Sequence, residues 1–375
     1  MKFCLIGPVW PYRGGISQNS AIIAKALVND GHEVLLISFR RQYPQWLYPG
    51  QTDQDNSQHP MKANAEYILD PFLPYTWKKA ADLVFEFKPN LVMIQWWTFF
   101  WSIPFAYISR TFQAHGLRVA YMIHNVTSHE AHPLDRLFTR LALSSAHDFL
   151  VFSELEKQKL QKLLPDKRIV QTCLPVYSFD DSSEHSKISA RKTLNLPDTG
   201  MILLFFGFVR PYKGLDILLK ALIRLKDKGI TPYLAIVGEF WKDKQYYLDL
   251  IRKANMYDQI RIEDRYVPNE EADLWFKGAD VLIAPYTHGV TQSAVASLAL
   301  GYSMPMIITT QVAQGLAKND HQTVQVVPQE DVEALESEIE KFIKEYTQRD
   351  NLSNPEAISV DHITEALIEL ANYSE

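Results

Sequence analysis

Short apolar runs alternate with amphipathic segments along this chain of 375 residues. Runs such as KFCLIG, EVLLISF and RVAYMI are almost continuously apolar, which is typical of strands buried on both faces of a parallel sheet. Between them, segments such as ISQNSAIIAKAL repeat apolar residues at helical spacing. This alternation predicts an α/β protein with doubly wound parallel sheets.

The alternation occurs twice, on either side of the polar segment LPVYSFDDSSE at residues 174–184. We predict a linker there and a Rossmann-like domain on each side, over residues 1–178 and 179–358. Residues 43–60 break the pattern, because they are rich in Gln, Asp, Pro and aromatic side chains. Their composition predicts a long functional loop.

Composition narrows the class of protein. With 47% hydrophobic and 22% charged residues, the chain is typical of folded globular domains. The apolar surroundings of Cys4 and Cys173 favour reduced, buried thiols over a disulfide or a metal site. The amino terminus resembles a first strand and lacks the apolar core of a signal peptide, so we expect a cytoplasmic protein.

Charge is distributed unevenly along the chain. Residues 1–175 contain 18 Lys and Arg against 14 Asp and Glu, although the whole chain has a net charge of −6. A basic first half fits contact with anionic lipid or an anionic acceptor, whereas a nucleic-acid-binding protein would usually show a denser basic face. The charge-free stretch Pro89–Ser109 is long enough to span a membrane, but Gln95 and Pro104 favour a buried strand followed by a helix.

The most informative segment is FFGFVRPYKGLDILLKAL, at residues 205–222. An apolar strand ends at Gly207, a loop carries Arg210 and Lys213, and an amphipathic helix begins at Gly214. N–H groups and the helix dipole attract anions at such a position, and two cations add to the attraction. A solvated turn is the alternative that this segment by itself leaves open.

In two segments of the first half, a strand is also followed by groups that could bind a ligand. In GPVWPYRGGISQNS, Gly14 and Gly15 precede a helix and could let a phosphate approach the backbone, but the pattern G-x-G-x-x-G is absent and a plain turn is equally compatible. In YMIHNVTSHE, His124 follows a buried strand, where open α/β sheets bind ligands, with a structural histidine as the alternative.

A second anion site is predicted in APYTHGVTQSAVASL. Thr291, Gln292 and Ser293 lie at a predicted helix start there, although helix capping alone would explain the hydroxyls. No metal site is expected. His129 and Glu130 lie close to His124 in a loop too short to define a ligand geometry, and the D-x-D motif at residues 53–55 lies in a polar, solvated loop.

In their order along the chain, these segments resemble family four of the retaining, nucleotide-sugar-dependent glycosyltransferases of the GT-B fold. The resemblance rests on the G-G loop, H-N before an acidic-histidine pair, F-G-x-x-R-x-x-K-G, V-G-E and P-Y-x-x-x-x-T-Q-S. Within this family, SFRRQYP, QWW, HNVTSHE and FGFVRPYKG are similar to a bacterial subgroup that builds cell-surface polysaccharides and glycolipids. The resemblance covers almost the entire chain.

The resemblance implies a GT-B fold, with an acceptor domain at residues 1–178, a donor domain at residues 179–358 and a final helix, 359–374, that returns to the first domain. It implies catalytic roles for His124, Lys213 and Arg210 on the transferred sugar and its diphosphate. Implied donor contacts are Gly14, Gly15, Glu239, Val267, Thr291, Gln292 and Ser293. Implied residues on the acceptor side are Arg41, Trp96, Trp97, His129 and Glu130, with ordinary core packing as the alternative for the two tryptophans.

The implied reaction is hexosyl transfer with retention, from a nucleotide sugar to a glycan or lipid-linked acceptor. The resemblance implies neither a metal ion nor another cofactor, since the nucleotide sugar is a co-substrate. It is compatible with a cytoplasmic protein that attaches to the inner face of the plasma membrane through its first domain.

Two departures from the family pattern leave alternatives open. Phe208 stands where the family usually has an arginine, and Val290 and Leu298 stand where it usually has two glutamates. A catalytically silent GT-B protein that serves as partner or scaffold of an active glycosyltransferase is therefore an alternative. A GT-B epimerase or phosphorylase is a third, although the extra carboxylates or cofactor lysine that such enzymes use cannot be placed.

Overall fold

The computed structural model describes residues 1–44, 48, 50, 52–126, 133–179, 185–287, 292–316, 323–346 and 360–372. The chain divides into two compact units. The first unit comprises Met1–Asn56, Pro60–Pro175 and Ser359–Glu375, and the second comprises Ser57–His59 and Val176–Ile358.

A seven-stranded parallel sheet forms the centre of the first unit. Its strands are β1 (Lys2–Ile6), β2 (Glu33–Phe39), β3 (Glu66–Leu69), β4 (Leu91–Trp96), β5 (Val119–Ile123), β6 (Asp148–Val151) and β7 (Arg168–Gln171). They are arranged β3-β2-β1-β4-β5-β6-β7, and every neighbouring pair is parallel. The connecting helices are α1 (Gly15–Asn29), α2 (Pro74–Phe87), α3 (Ser102–Ala114), α4 (Pro133–Leu143) and α5 (Glu154–Leu163).

Both faces of this sheet are covered by apolar side chains. Along β1, Cys4 and Ile6 join the core that includes residues of α2 to α5, whereas Phe3 and Leu5 join the core on the other side. The latter core contains Ile23 and Leu27 of α1 together with Ile363, Leu367 and Leu370 of the last helix, Asp361–Asn372. The last helix of the chain therefore packs within the first unit.

The second unit repeats the plan with a six-stranded parallel sheet. Its strands are β8 (Ile202–Phe206), β9 (Tyr233–Val237), β10 (Ile260–Glu263), β11 (Val281–Ala284), β12 (Met306–Thr309) and β13 (Val324–Val327). Its helices are α6 (Lys187–Thr193), α7 (Leu215–Asp227), α8 (Lys244–Lys253), α9 (Asn269–Gly278), α10 (Ala294–Gly301), α11 (Thr310–Ala313) and α12 (Val332–Tyr346), so that the last helix is α13. The strand order is β10-β9-β8-β11-β12-β13.

Each sheet reverses its strand order at one point, between β1 and β4 in the first unit and between β8 and β11 in the second. Open α/β sheets bind ligands outside the carboxyl ends of the strands at such a reversal. The basic loop follows β8, the glycine pair follows β1, and His124 follows β5, one strand beyond β4. These predicted segments therefore lie at the edges where ligand binding is expected.

The predicted α/β class, with parallel sheets doubly wound by helices, is confirmed. The charge-free stretch forms β4 and the first half of α3, and no helix in the described residues has both the length and the hydropathy that a membrane crossing needs. The elements that the apolar pattern misses are β3, β7, α2, α5, α6, α9 and the four-residue α11. Both missed strands are edge strands with exposed or half-buried residues, so they lack a continuous apolar run.

Candidate active site

The basic loop of the second unit, residues 207–214, packs against the end of β11. Gly214 has φ of 71°, and an added Cβ would lie 2.0 Å from the carbonyl oxygen of Pro285, so only glycine fits this approach. Two residues after Pro285, the N–H of Thr287 donates to the carbonyl oxygen of Tyr212 at 2.7 Å. The loop is thereby fixed beside the segment that leads toward α10.

Lys213 is a buried cation in this loop. Its side chain is 8% exposed, and its Nζ donates to the carbonyl oxygen of Phe206 at 3.4 Å and lies 5.2 Å from the centre of the Tyr286 ring. It pairs with no carboxylate among the described residues. Burial lowers the pKa of the ammonium to about 8, and the nearby Arg210 charge also lowers it. An ammonium buried without a counter-ion destabilises a fold and is suited to binding an anion.

The start of α10 lies next to Lys213. Ser293 caps this helix, because its Oγ accepts a hydrogen bond from the N–H of Ala296 at 3.1 Å, and the same Oγ lies 3.2 Å from the Tyr286 hydroxyl. An added Cβ at Gly207 would lie 3.0 Å from Lys213 Nζ and 3.4 Å from Cγ2 of Val295, in the first turn of α10. The two predicted anion-binding segments therefore meet around Gly207.

Gln292 and Thr291 precede this helix, which begins at Ala294, later than the sequence predicts. The Gln292 Nε2 is buried and has no hydrogen-bond acceptor in the described residues. Thr291 lies outside the described residues, as does Val290.

Arg210 lies against an aromatic surface. Its guanidinium is 3.6 Å from the centre of the Trp241 ring, and Phe208 packs edge-on against the same ring at 5.8 Å. The Arg210 Nε is buried and donates to no acceptor in the described part of the chain. Phe208, at the position where the family has an arginine, thus helps to form the surface that holds Arg210. Trp241 is not among the residues predicted from the sequence, although its position two residues after V-G-E could have indicated it.

The other predicted donor residues of the second unit are largely buried. Glu239 is 8% exposed and lies beside the basic loop, since its carbonyl oxygen accepts from the N–H of Val209 at 2.9 Å. Val267 is 5% and Leu298 is 3% exposed, and both belong to the apolar core of this unit. A carboxylate at position 298 would be desolvated by that core, which gives a packing reason for leucine there.

His124 is buried at the carboxyl end of β5 in the first unit. Its side chain is 6% exposed, and the imidazole Nε2 is hydrogen-bonded to Oε1 of Gln95. The backbone N–H of His124 donates to the carbonyl oxygen of Trp96 at 2.8 Å. Burial lowers the pKa of the imidazole to about 3, so the ring is neutral at neutral pH. Gly14, with φ of 105°, immediately precedes α1, which begins at Gly15, one residue earlier than predicted.

The residues predicted on the acceptor side are not all accessible. Trp96 is 1% exposed and packs edge-on against Tyr121, so of its two alternatives, core packing and acceptor contact, the structure favours core packing. Trp97 is half-buried and donates through Nε1 to the Tyr43 hydroxyl. Arg41 forms an ion pair of 2.8 Å with Asp70. His129 and Glu130 lie outside the described residues.

The D-x-D segment differs from the solvated loop that the sequence predicts. The N–H of Arg13 donates to the carbonyl oxygen of Asp53 at 2.9 Å, and the N–H of Asp55 donates to that of Pro11 at 2.7 Å, so the segment is half-buried against the residues before α1. Within the described ranges, no three His, Cys, Asp or Glu side chains cluster closely enough to hold a metal ion.

The two halves of the chain match different family models. Residues 13–172 match the model described as Glycosyltransferase Family 4, and residues 200–345 match the model described as Glycosyl transferases group 1. A D-inositol 3-phosphate glycosyltransferase of Streptosporangium roseum is 30% identical over 146 residues, or 35% of this chain and 33% of that protein. Another, from Stackebrandtia nassauensis, is 24% identical over 233 residues, or 57% of this chain and 51% of that protein. The matches thus span a third to half of these relatives.

The fold has close counterparts among solved structures. The crystal structure of Anabaena Alr3699/HepE in complex with UDP gives a TM-score of 0.71 at 13% identity, covering 98% of this chain and 99% of that chain. At this identity the likeness shows the fold, with both Rossmann-like units included. Each half of the chain is therefore similar to a glycosyltransferase family, and the fold is GT-B.

Proposed function

We propose that this protein transfers a hexosyl group from a nucleoside diphosphate sugar, with retention, to a glycan or lipid-linked acceptor. The observation that carries the proposal is Lys213, a buried ammonium without a carboxylate partner in the described residues, next to the start of α10. A diphosphate would neutralise this charge and accept hydrogen bonds from the helix start.

The proposed chemistry needs charge stabilisation at the leaving group. Cleavage of the bond between the anomeric carbon and the phosphate oxygen leaves its electron pair on the diphosphate, so negative charge builds there in the transition state. Lys213 and Arg210 stabilise this charge. The acceptor hydroxyl attacks the anomeric carbon from the same face, forms the new C–O bond and passes its proton to the departing phosphate. His124 binds the transferred sugar.

The relatives support the choice of substrates. Two are named D-inositol 3-phosphate glycosyltransferases, and HepE was crystallised with UDP and with UDP-glucose. On this basis we propose a nucleotide-sugar donor for this protein as well. We assign the protein to cell-surface polysaccharide or glycolipid synthesis because its motifs are similar to those of that bacterial subgroup. We also propose that no metal ion or other cofactor takes part, because Lys213 and Arg210 supply the positive charge that a divalent cation would supply.

The first unit offers a surface for the inner face of the plasma membrane, where we place the reaction. We define the α3–α4 face as the exposed side chains Ile103, Tyr107, Arg110, Arg136, Leu137 and Arg140. A groove of 390 Å³ runs along it and is lined by Ile103, Tyr107 and Arg110. In the described residues of α3 and α4, Asp135 is the one carboxylate, and it is 4% exposed. Apolar side chains among exposed arginines fit an anionic bilayer.

A thermal-shift panel tests the proposal directly. We expect one of UDP, GDP, ADP or CMP, or a sugar conjugate of it, to raise the Tm of the protein, since a ligand that binds only the folded state stabilises it. Lys213→Ala should abolish this shift and the transfer of radiolabelled sugar, and His124→Ala should abolish transfer, without unfolding either variant.

The matched control is Lys253→Ala. Lys253 is exposed and lies at the end of α8 that faces away from the carboxyl edge of the sheet, so its replacement should preserve the shift. Full activity of both site variants would contradict the assigned site.

A second candidate function is a catalytically silent partner of an active glycosyltransferase. Leu298 favours it, because an apolar core side chain replaces one of the two glutamates of the family. A thermal shift without transfer to any acceptor of a cell extract would support this alternative, and absence of any shift would contradict the proposed activity.

A further inference from the structure

A chain of buried hydrogen bonds connects α1 to the His124 ring. The Ser20 hydroxyl donates to the carbonyl oxygen of Ile16 at 3.0 Å, and the Gln95 Nε2 donates to the Ser20 Oγ at 3.2 Å. The Gln95 Oε1 accepts from Nε2 of His124. Ser20 and Gln95 are 1% and 2% exposed, so these groups have little access to water.

This chain determines the direction of each hydrogen bond. The Ser20 hydroxyl donates its one proton to the Ile16 carbonyl oxygen, so the Ser20 oxygen is left to accept from Gln95. The Gln95 NH₂ group must therefore face Ser20, and its oxygen must face His124. An oxygen that only accepts requires a proton on Nε2 of His124.

The backbone at Gly7 leaves room for the side chain of Gln95. An added Cβ at Gly7 would lie 2.5 Å from Cγ of Gln95 and 3.0 Å from its Cβ. Gln95 therefore packs directly on the turn that follows β1, where the first sheet reverses its strand order. A side chain packed in this way has few rotamers available.

We infer that Gln95 is a positioning residue that fixes the proton of His124 on Nε2 and leaves Nδ1 as a hydrogen-bond acceptor for a sugar hydroxyl. Nδ1 makes no hydrogen bond to any described residue. Burial keeps the ring neutral, as the lowered pKa of about 3 indicates, so Nδ1 retains its lone pair. The sugar as partner rests on the proposed function, whereas the tautomer does not.

The experiment measures the tautomer by long-range ¹H–¹⁵N NMR on protein with labelled histidines. His124→Gln assigns the signal among the 11 histidines. We expect a protonated Nε2 and an unprotonated Nδ1 in the free protein. Any other protonation state of His124 overturns the inference, whether or not a nucleotide binds, and a failed nucleotide panel with the expected tautomer would count against the proposed function alone.

Two variants test the role of the hydrogen-bond chain. Gln95→Leu removes the acceptor, and Ser20→Ala frees the Gln95 amide to turn its NH₂ group toward His124, so both should populate the Nδ1-protonated tautomer. We expect kcat/KM for transfer to fall about tenfold to hundredfold, and Gln95→Glu, which keeps an acceptor, to recover part of it.

Ser109→Ala is the matched control for Ser20→Ala. It removes another buried serine of the first unit, one bonded to Tyr121 at 2.8 Å, and should leave the His124 tautomer unchanged. If Ser20→Ala and Gln95→Leu both keep the wild-type tautomer and kcat/KM, Gln95 has no positioning role. Ser20→Ala decides the question if Gln95→Leu fails to fold.

Discussion

The positive charge of Lys213 destabilises the fold but favours binding of the proposed anionic ligand. Its burial lowers the pKa to about 8, which means that the folded protein binds this proton less tightly than the unfolded chain does. In the free protein, the free-energy cost of burying the Lys213 side chain decreases as the pH rises above about 8, because the ammonium loses its proton. An anionic ligand has the opposite preference, because it interacts with the charged form.

Binding of a nucleoside diphosphate should therefore weaken as the pH rises through about 8. Isothermal titration calorimetry from pH 7 to 9.5 should show Kd rising by up to about tenfold per pH unit above the pKa of Lys213. Lys213→Met should bind weakly and with no such dependence. A wild-type Kd that stays constant over this range would show that Lys213 does not contact the ligand.

At the scale of elements, the short helix α10 contributes its first turn to the site. Its cap is Ser293, whose Oγ also lies 3.2 Å from the hydroxyl of Tyr286, and the Tyr286 ring centre lies 5.2 Å from Lys213 Nζ. The cap therefore connects the helix start with the buried cation. Removing it should loosen the N–H groups that the proposed diphosphate would contact.

Ser293→Ala should cost about 1 kcal/mol of stability and raise the Kd of the nucleotide severalfold. Ser186→Ala is a matched control, because Ser186 caps α6 in the same unit by accepting from the N–H of Ser189 at 3.2 Å. We expect a similar loss of stability in urea unfolding but an unchanged Kd. Equal effects of the two variants on Kd would exclude a specific role for the α10 start.

At the scale of the whole molecule, the α3–α4 face should determine membrane contact. The protein should sediment with vesicles containing phosphatidylglycerol and remain in the supernatant with phosphatidylcholine alone, because the attraction depends on anionic lipid. Arg110→Gln with Arg140→Gln should reduce the bound fraction about tenfold or more, since each arginine contributes about 1 kcal/mol.

Lys253→Gln is the control for the loss of charge, since that side chain lies in the other unit and is exposed. It should bind vesicles as the wild type does. Equal binding by the double arginine variant would rule out the α3–α4 face as the membrane surface, and binding to both lipid mixtures would argue for a different partner.

Much of the architecture follows from local pattern. Continuous apolar runs identify the central strands because those strands are buried on both faces, and the glycines and cations after β8 identify the basic loop. The edge strands β3 and β7 escape this pattern, since one side of each lacks a neighbouring strand and their residues are partly exposed. For Trp96 the sequence leaves core packing and acceptor contact open, because an aromatic at a strand end does not indicate which face its ring takes.

The sequence by itself determined the α/β class, its repetition in two halves and the segments that carry cations and helix starts, because these depend on neighbours along the chain. Only the tertiary structure decided that Lys213 is buried without a carboxylate partner in the described residues, that Trp241 holds Arg210, and that Gln95 binds His124. These contacts join residues from different strands and loops. Their burial, and with it the pKa of Lys213 and the protonation of His124, depends on packing that no local pattern records.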